Sequence, residues 1–136
     1  MVEPTAVPIP DIPYAIEIKK ADGKTKYEIL DNGRFVHESF VFPKLHLLKI
    51  LGKTGPAIGQ CATSEKYRGQ AIYPFVINRI ANEILADKAA DEVFIIVNSD
   101  NIPSIRGIEK AGFSLYAKVT AKRFLLFYFD KHVIKT

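Results

Sequence analysis

The sequence predicts a single mixed α/β domain, and three patterns carry that expectation. In the first half, short runs of alternating apolar and polar residues are punctuated by Asp-Gly and Asn-Gly pairs, as in antiparallel hairpins. After residue 70 the apolar period lengthens to that of an amphipathic helix. A short unbroken apolar run follows, as expected of a strand buried on both faces. With 136 residues, 48% hydrophobic and 25% charged, the chain has the apolar mass for one ordinary core.

Residues 1–13 read as an extended arm, because Pro4, Pro8, Pro10 and Pro13 interrupt regular backbone pairing. The domain proper is expected over residues 14–136. "YAIEIKK", "KYEIL", "FVHESFVF", "LHLLKIL" and "AIGQCAT" are its first strands, separated by "ADGK", "DNGR", Pro43 and "GKTG". Alternation along the third puts Val36, Glu38 and Phe40 on one face, and Phe35, His37, Ser39 and Val41 on the other. Ile72, Val76, Ile80 and Ile84 then recur at every fourth position, with Phe75 and Ile77 widening the stripe and Arg79, Asn82, Glu83 and Asp87 largely opposite it. That spacing predicts a helix of about four turns with Pro74 in its first turn. "EVFIIVN" is the buried strand. In "SDNIPSIRGIEKAGF", a cap at Asp100 or Asn101, Pro103 in the first turn and Gly112 as terminator define a second helix. "SLYAKVTAKRFLLFYFDKH" supplies two final strands.

Composition narrows the function classes. A net charge of +4 and a pI near 9.1 describe a mildly basic surface, and charge alone specifies no nucleic-acid partner. The lone Cys61 forms no internal disulfide, no zinc-type spacing is present, and a reducing cytoplasm is the expected compartment. The proline-broken start lacks a signal-peptide pattern, and no apolar run approaches membrane-spanning length.

The segment "KYRGQAIYPF", Lys66 to Phe75, joins a strand to a helix through a glycine turn. Unpaired N–H groups and the positive end of a helix dipole make such a junction an anion site. Arg68 adds a charge-assisted contact, and Gly69 allows close backbone approach. Together with "VNSDNIPSIRGIEKAGF", in which an asparagine closes a strand and a glycine-phenylalanine pair ends the next helix, this stretch resembles the GCN5-related N-acetyltransferase (GNAT) superfamily. The resemblance runs from Ala57 through the final hairpin. "VHESFVFPK", "IGQCAT" and "YRGQAIYP" are most similar to members associated with polysaccharide or amino-sugar biosynthesis.

The resemblance implies the acyl-CoA N-acyltransferase fold: a mixed, mainly antiparallel twisted sheet with two main helices, its N-terminal helices reduced or absent. It implies a V-shaped opening beside the strand ending near Thr63, and acetyl-CoA as cofactor. Arg68, Gly69, Gln70, Ala71, Ile72 and Tyr73 would form its pyrophosphate loop. Gln60, Cys61, Ala62 and Thr63 would flank pantetheine and thioester, with a backbone N–H polarising the carbonyl. Asn101 and Ser104 would face the cofactor's far arm. Three positions depart from the pattern: Ala71 replaces a glycine, Tyr73 a small residue, and Ile108 the tyrosine often placed to protonate the leaving thiolate.

Acyl transfer to an amine also needs a proton acceptor, for which His37 and Glu38 are the candidates; Tyr116 could reach the thiolate. Cys61 reads as a small buried hydrophobe, and His46 and His132 as packing or surface residues. Lys118, Lys122, Arg123 and Lys131 form a basic face that a ribose phosphate or anionic acceptor could meet. The expected activity is direct acetyl transfer from acetyl-CoA to a primary amine, on an amino sugar or nucleotide-linked sugar. Its rivals are a catalytically degenerate CoA-binding or partner-binding module, and an association domain whose long apolar final hairpin, "FLLFYF", pairs across a homodimer.

Overall fold

The computed structural model describes residues 11–44, 48–49, 51–87, 90–120 and 123–130. Seven strands form one sheet: β1 (Glu17–Ala21), β2 (Lys24–Asp31), β3 (Arg34–Phe42), β4 (Ala57–Thr63), β5 (Glu92–Asn98), β6 (Ser114–Val119) and β7 (Phe124–Asp130), in the spatial order β1-β2-β3-β4-β5-β7-β6. Every neighbouring pair is antiparallel except β4–β5, which α1 (Ile72–Ala86) crosses over to join in parallel. The second helix, α2 (Ile102–Lys110), connects β5 to β6. This is the mixed, mostly antiparallel architecture with two main helices expected from the sequence. No described helix is long and apolar enough to cross a membrane.

Both helices cover one face of the sheet. α1 buries Ile72, Val76, Ile77, Ile80 and Leu85 against Ile58, Val93, Ile95 and Phe127, and Ile108 of α2 enters the same core. Each such side chain contributes about 2 kcal/mol through burial. The apolar stripe is rotated slightly from the expected one: Leu85 is buried and Ile84 only partly so. A smaller cluster on the other face joins Leu48, Ala57, Phe94 and Leu126.

Three strand assignments differ from the sequence expectation. β1 begins at Glu17, while Ile12, Tyr14 and Ile16 pack on the core before it. Within "LHLLKIL", the described Leu48 and Lys49 are helical and Leu51 N–H donates to the Leu48 carbonyl, so local helical bonds replace strand pairing there. On β3, Ile29 pairs with His37 but Leu30 with Phe35, leaving Val36 as an extra residue. This bulge turns Val36 into the core and exposes Phe35, against simple alternation. β7 carries "FLLFYF" between β5 and β6, with both edges paired within the chain. The edge strand at that end is β6, so the unpaired edge of the final hairpin within the described sheet belongs to β6 and not to the "FLLFYF" strand.

Candidate functional site

β4 and β5 pair only at Ala57–Phe94 and Ile58–Ile95. Beyond that point β4 remains bonded to β3 alone, and its other edge faces a gap in the sheet. A bulge sharpens the separation: Glu38 pairs with Ala62 and Phe40 with Gly59, so Gln60 and Cys61 together face Ser39. Gln60 takes φ +51° there, a left-handed conformation costing about 1–2 kcal/mol for a residue with a Cβ. Strain of this kind persists where the surroundings fix it and accompanies functional geometry.

After β4, a single 3-10 turn (Glu65–Tyr67) leads into the loop before α1. Gly69 has φ +84°, and Ala71, the residue capping α1, has φ +61°. The backbone therefore does demand a left-handed residue where alanine stands in place of glycine. The first intrahelical bond runs from Phe75 N–H to the Ala71 carbonyl at 3.2 Å. Amides earlier in the turn have no intrahelical acceptor, and Pro74 removes one of them from the account. Arg68 folds back so that its Nε donates to the Thr63 carbonyl at 3.1 Å, tying the loop to the end of β4. Tyr14 braces the loop from outside, donating to Gln70 at 3.4 Å and packing edge-on against Tyr67.

Tyr73 projects from the first turn of α1 towards α2. A Cβ on Gly107 would lie 2.7 Å from its ring, so a glycine inside α2 makes room for this tyrosine. The Tyr73 hydroxyl interacts with Cys61 and Ser104, and burial raises its pKa, with Cys61 adding to the effect. Burial also pushes the Cys61 thiol up to about 11, so it is a thiol and not a thiolate near neutrality. His37 is fully buried, its ring centroid 5.9 Å from that of Tyr73. Its Nδ1 lies 2.6 Å from Thr63 Oγ1 and its Nε2 2.7 Å from Ser39 Oγ. Burial lowers its pKa to about 4, keeping the imidazole neutral.

These elements border a cavity of ≈ 630 Å³, a volume within the range of small-molecule sites. Cys61, Ala62 and Thr63 form its β4 wall; Arg68, Gly69, Ala71, Ile72 and Tyr73 its loop; Asn101 and Ser104 its α2 wall. Gln60 and Gln70, the other two cofactor-site expectations, flank it without lining it. Asn101 caps α2, its Oδ1 accepting from Ser104 N–H at 3.3 Å. Sequence reasoning missed Arg106, Gly107 and Lys110, which reach the cavity from successive turns of α2. The available signal was helical spacing: Gly107 follows Ser104 by three residues, and Lys110 follows Gly107 by three and Arg106 by four.

The catalytic candidates separate. His37 stands behind Thr63, whereas Glu38 lies outside the cavity, 3.8 Å from Lys26 Nζ in a ladder that continues through Glu28 to Lys19. Tyr116 is 42% exposed and packs edge-on against Phe94 and Tyr128, whose cluster lies on the face away from the helices; it does not reach the cavity. Ile108 is fully buried in the core. Of the expected basic face, Arg123 pairs with Asp100 at 3.1 Å and Lys118 is exposed. The cations lining the cavity are Arg68, Arg106 and Lys110. His46, Lys122, Lys131 and His132 lie outside the described residues.

No family model and no curated protein sequence matches the chain. Solved structures do match. The GNAT domain of S. lividans PAT superposes with a TM-score of 0.63 at 11% identity, over 79% of this chain and 61% of that one. Mycobacterium smegmatis RimJ in complex with CoA-disulfide gives 0.66 at 15% identity, over 83% and 56%. Campylobacter jejuni N-acetyltransferase PseH in complex with acetyl coenzyme A gives 0.59 at 11% identity, over 82% and 70%. The chain thus spans about six-tenths of the length of the first two. Its fold, a seven-stranded, mostly antiparallel sheet with two main helices, is that of the GNAT domain.

Proposed function

We propose that this chain is an acetyl-CoA-dependent N-acetyltransferase that transfers the acetyl group directly to a primary amine, with an amino sugar or nucleotide-linked sugar as acceptor. The observation that carries the reading is the free edge of β4 at its bulge, opening into a cavity that ends at the start of α1. An extended pantetheine arm fits such an edge, since backbone donors and acceptors are presented at strand spacing. The left-handed loop and the α1 terminus suit a pyrophosphate, with Arg68 anchoring the loop and Arg106 and Lys110 adding positive charge.

Acetyl-CoA supplies the activated acyl group; this chain supplies position, polarisation and proton handling. A β4 backbone N–H beside Cys61 and Ala62 would stabilise charge on the carbonyl oxygen, and the walls hold the reactants together. His37 acts from behind Thr63. Glu38, on the exposed face of β3, would act through water.

Incubation with acetyl-CoA and a panel of 2-amino sugars, nucleotide-linked amino sugars and polyamines, followed by mass spectrometry of the amines, tests this reading. The expected product is one acetyl group on an amine with stoichiometric release of CoA thiol. Binding of acetyl-CoA without any acetylated amine would favour the second reading, a CoA-binding module that has lost catalysis. That reading draws on Ile108, which is apolar and buried, and on the bulk of Tyr73 in the cavity wall.

A further inference from the structure

The loop offered to the diphosphate holds two left-handed residues, Gly69 at φ +84° and Ala71 at φ +61°. Alanine resists that conformation, so the loop keeps its shape only where its surroundings hold it. Part of the hold is applied to the turn Glu65–Tyr67 just before it. At the start of that turn Ser64 N–H donates to the Val36 carbonyl at 2.8 Å, at the bulge of β3. At its end the Tyr67 hydroxyl donates to Asp31 Oδ2 at 2.9 Å. Asp31 is the last residue of β2, and Asn32 and Gly33, with φ +52° and +83°, form the hairpin turn that fixes its position. Tyr67 is 7% exposed and lines the cavity just before Arg68, with Tyr14 edge-on at 6.0 Å between ring centroids. A phenylalanine would fill that space equally well, whereas a phenol there needs an acceptor, and a carboxylate makes a charge-assisted one.

We propose that Asp31 is a positioning residue for cofactor binding: through the Tyr67 hydroxyl it clamps the turn that enters the diphosphate loop, so that the loop amides meet the ligand already in place. The inference rests on the acetyltransferase reading and adds to it a residue outside the cavity lining. Val36–Ser64 and Asp31–Tyr67 join the end of the β2–β3 hairpin to both ends of the turn, while Arg68 ties the loop to Thr63 from the other side. With the Asp31–Tyr67 link cut, the Tyr67 ring keeps its packing but the end of the turn that enters the loop gains freedom. The ligand must then order that segment, and the cost appears as lost affinity. The loss falls on the diphosphate part of the cofactor, because the β4 edge offered to pantetheine is held by β3 and not by this turn.

Asp31→Ala and Tyr67→Phe test the clamp, by calorimetry with acetyl-CoA and by amide hydrogen exchange in the ligand-free protein. Each variant is expected to weaken acetyl-CoA binding about fivefold or more and to speed exchange at residues 67–71 while that of the sheet is unchanged. S-acetylpantetheine, which has no diphosphate, should stay within about twofold as acetyl donor to the best amine of the panel. Asp31→Asn keeps an acceptor oxygen and should recover part of the affinity. The double variant Asp31→Ala, Tyr67→Phe should bind no more weakly than the poorer single one, since both cut the same link. Acetyl-CoA affinity kept within about twofold in both single variants, or S-acetylpantetheine use lost in step with acetyl-CoA binding, overturns the clamp and leaves acetyl transfer standing. If the unmodified protein binds acetyl-CoA but acetylates no amine, the transferase reading falls, and the affinity and exchange results still decide the clamp. Absence of acetyl-CoA binding by the unmodified protein overturns both.

Discussion

His37 and Glu38 are neighbours on β3, yet they inhabit opposite physical regimes. His37 faces the helices, fully buried, and is held by two neutral hydroxyls. Glu38 faces solvent on the bare side of the sheet, at the end of a ladder formed with Lys26, Glu28 and Lys19. Lys26 and Lys19 lower the Glu28 pKa through hydrogen bonds; Glu28 itself is only 8% exposed, but Lys19 and Glu38 at the ends of the ladder reach solvent, where water can replace a partner. The polar groups behind Thr63 have no such substitute. The difference teaches that a single step along a strand separates a group whose removal is felt throughout the domain from one whose removal is barely felt.

Replacing the buried member should have the largest effect. His37→Phe leaves the Thr63 and Ser39 hydroxyls without their partner and is expected to cost about 3 kcal/mol in urea denaturation. In the unmodified protein the folded-state pKa is about 4 against 6.5 for the free side chain. The unfolded chain therefore binds the extra proton first as pH falls. Stability should be full above about pH 6.5 and decline by up to ~1.4 kcal/mol per unit towards pH 4. His37→Phe removes this contribution, and an unchanged slope between pH 6.5 and 5 would break the contrast.

Next in size is the seat of Tyr73. Gly107→Ala drives a Cβ into the ring and should destabilise by about 2 kcal/mol. Adding Tyr73→Ala should recover part of that loss, a coupling that independent sites would not show. Ala71→Gly relieves a left-handed alanine and should stabilise by about 0.5–1 kcal/mol after the entropy of the glycine is counted. Smallest of all, Glu38→Gln should leave stability within about 0.5 kcal/mol, and a larger loss would mean that the exposed ladder matters more than its solvation allows.

Periodicity, with the turn signals, sufficed to find both helices and the strands of the sheet, although Glu17–Lys20 of β1 are all exposed and β6 has no buried position. It failed at "LHLLKIL", whose apolar run has no strand partner at its described residues, and at Val36, where a bulge reversed the alternation. The loop at Arg68–Tyr73 was legible because glycine and proline mark the backbone conformations it needs. The α2 wall was legible only at its capped end: Asn101 carries a cap signal, whereas Arg106, Gly107 and Lys110 look like an ordinary helix surface until Tyr73 is placed against them. Tyr116 shows the converse limit. A position soon after α2 fixes its strand but not its face, and the face decides whether it meets the cavity.

Calorimetric titration with acetyl-CoA, on the unmodified protein and on an Arg68→Ala, Tyr73→Trp double variant, tests the central claim most directly. The account predicts micromolar binding that the variant weakens at least about tenfold, a loss of about 1.4 kcal/mol. Absence of binding by the unmodified protein would contradict it, reducing the loop before α1 to a connector between a strand and a helix.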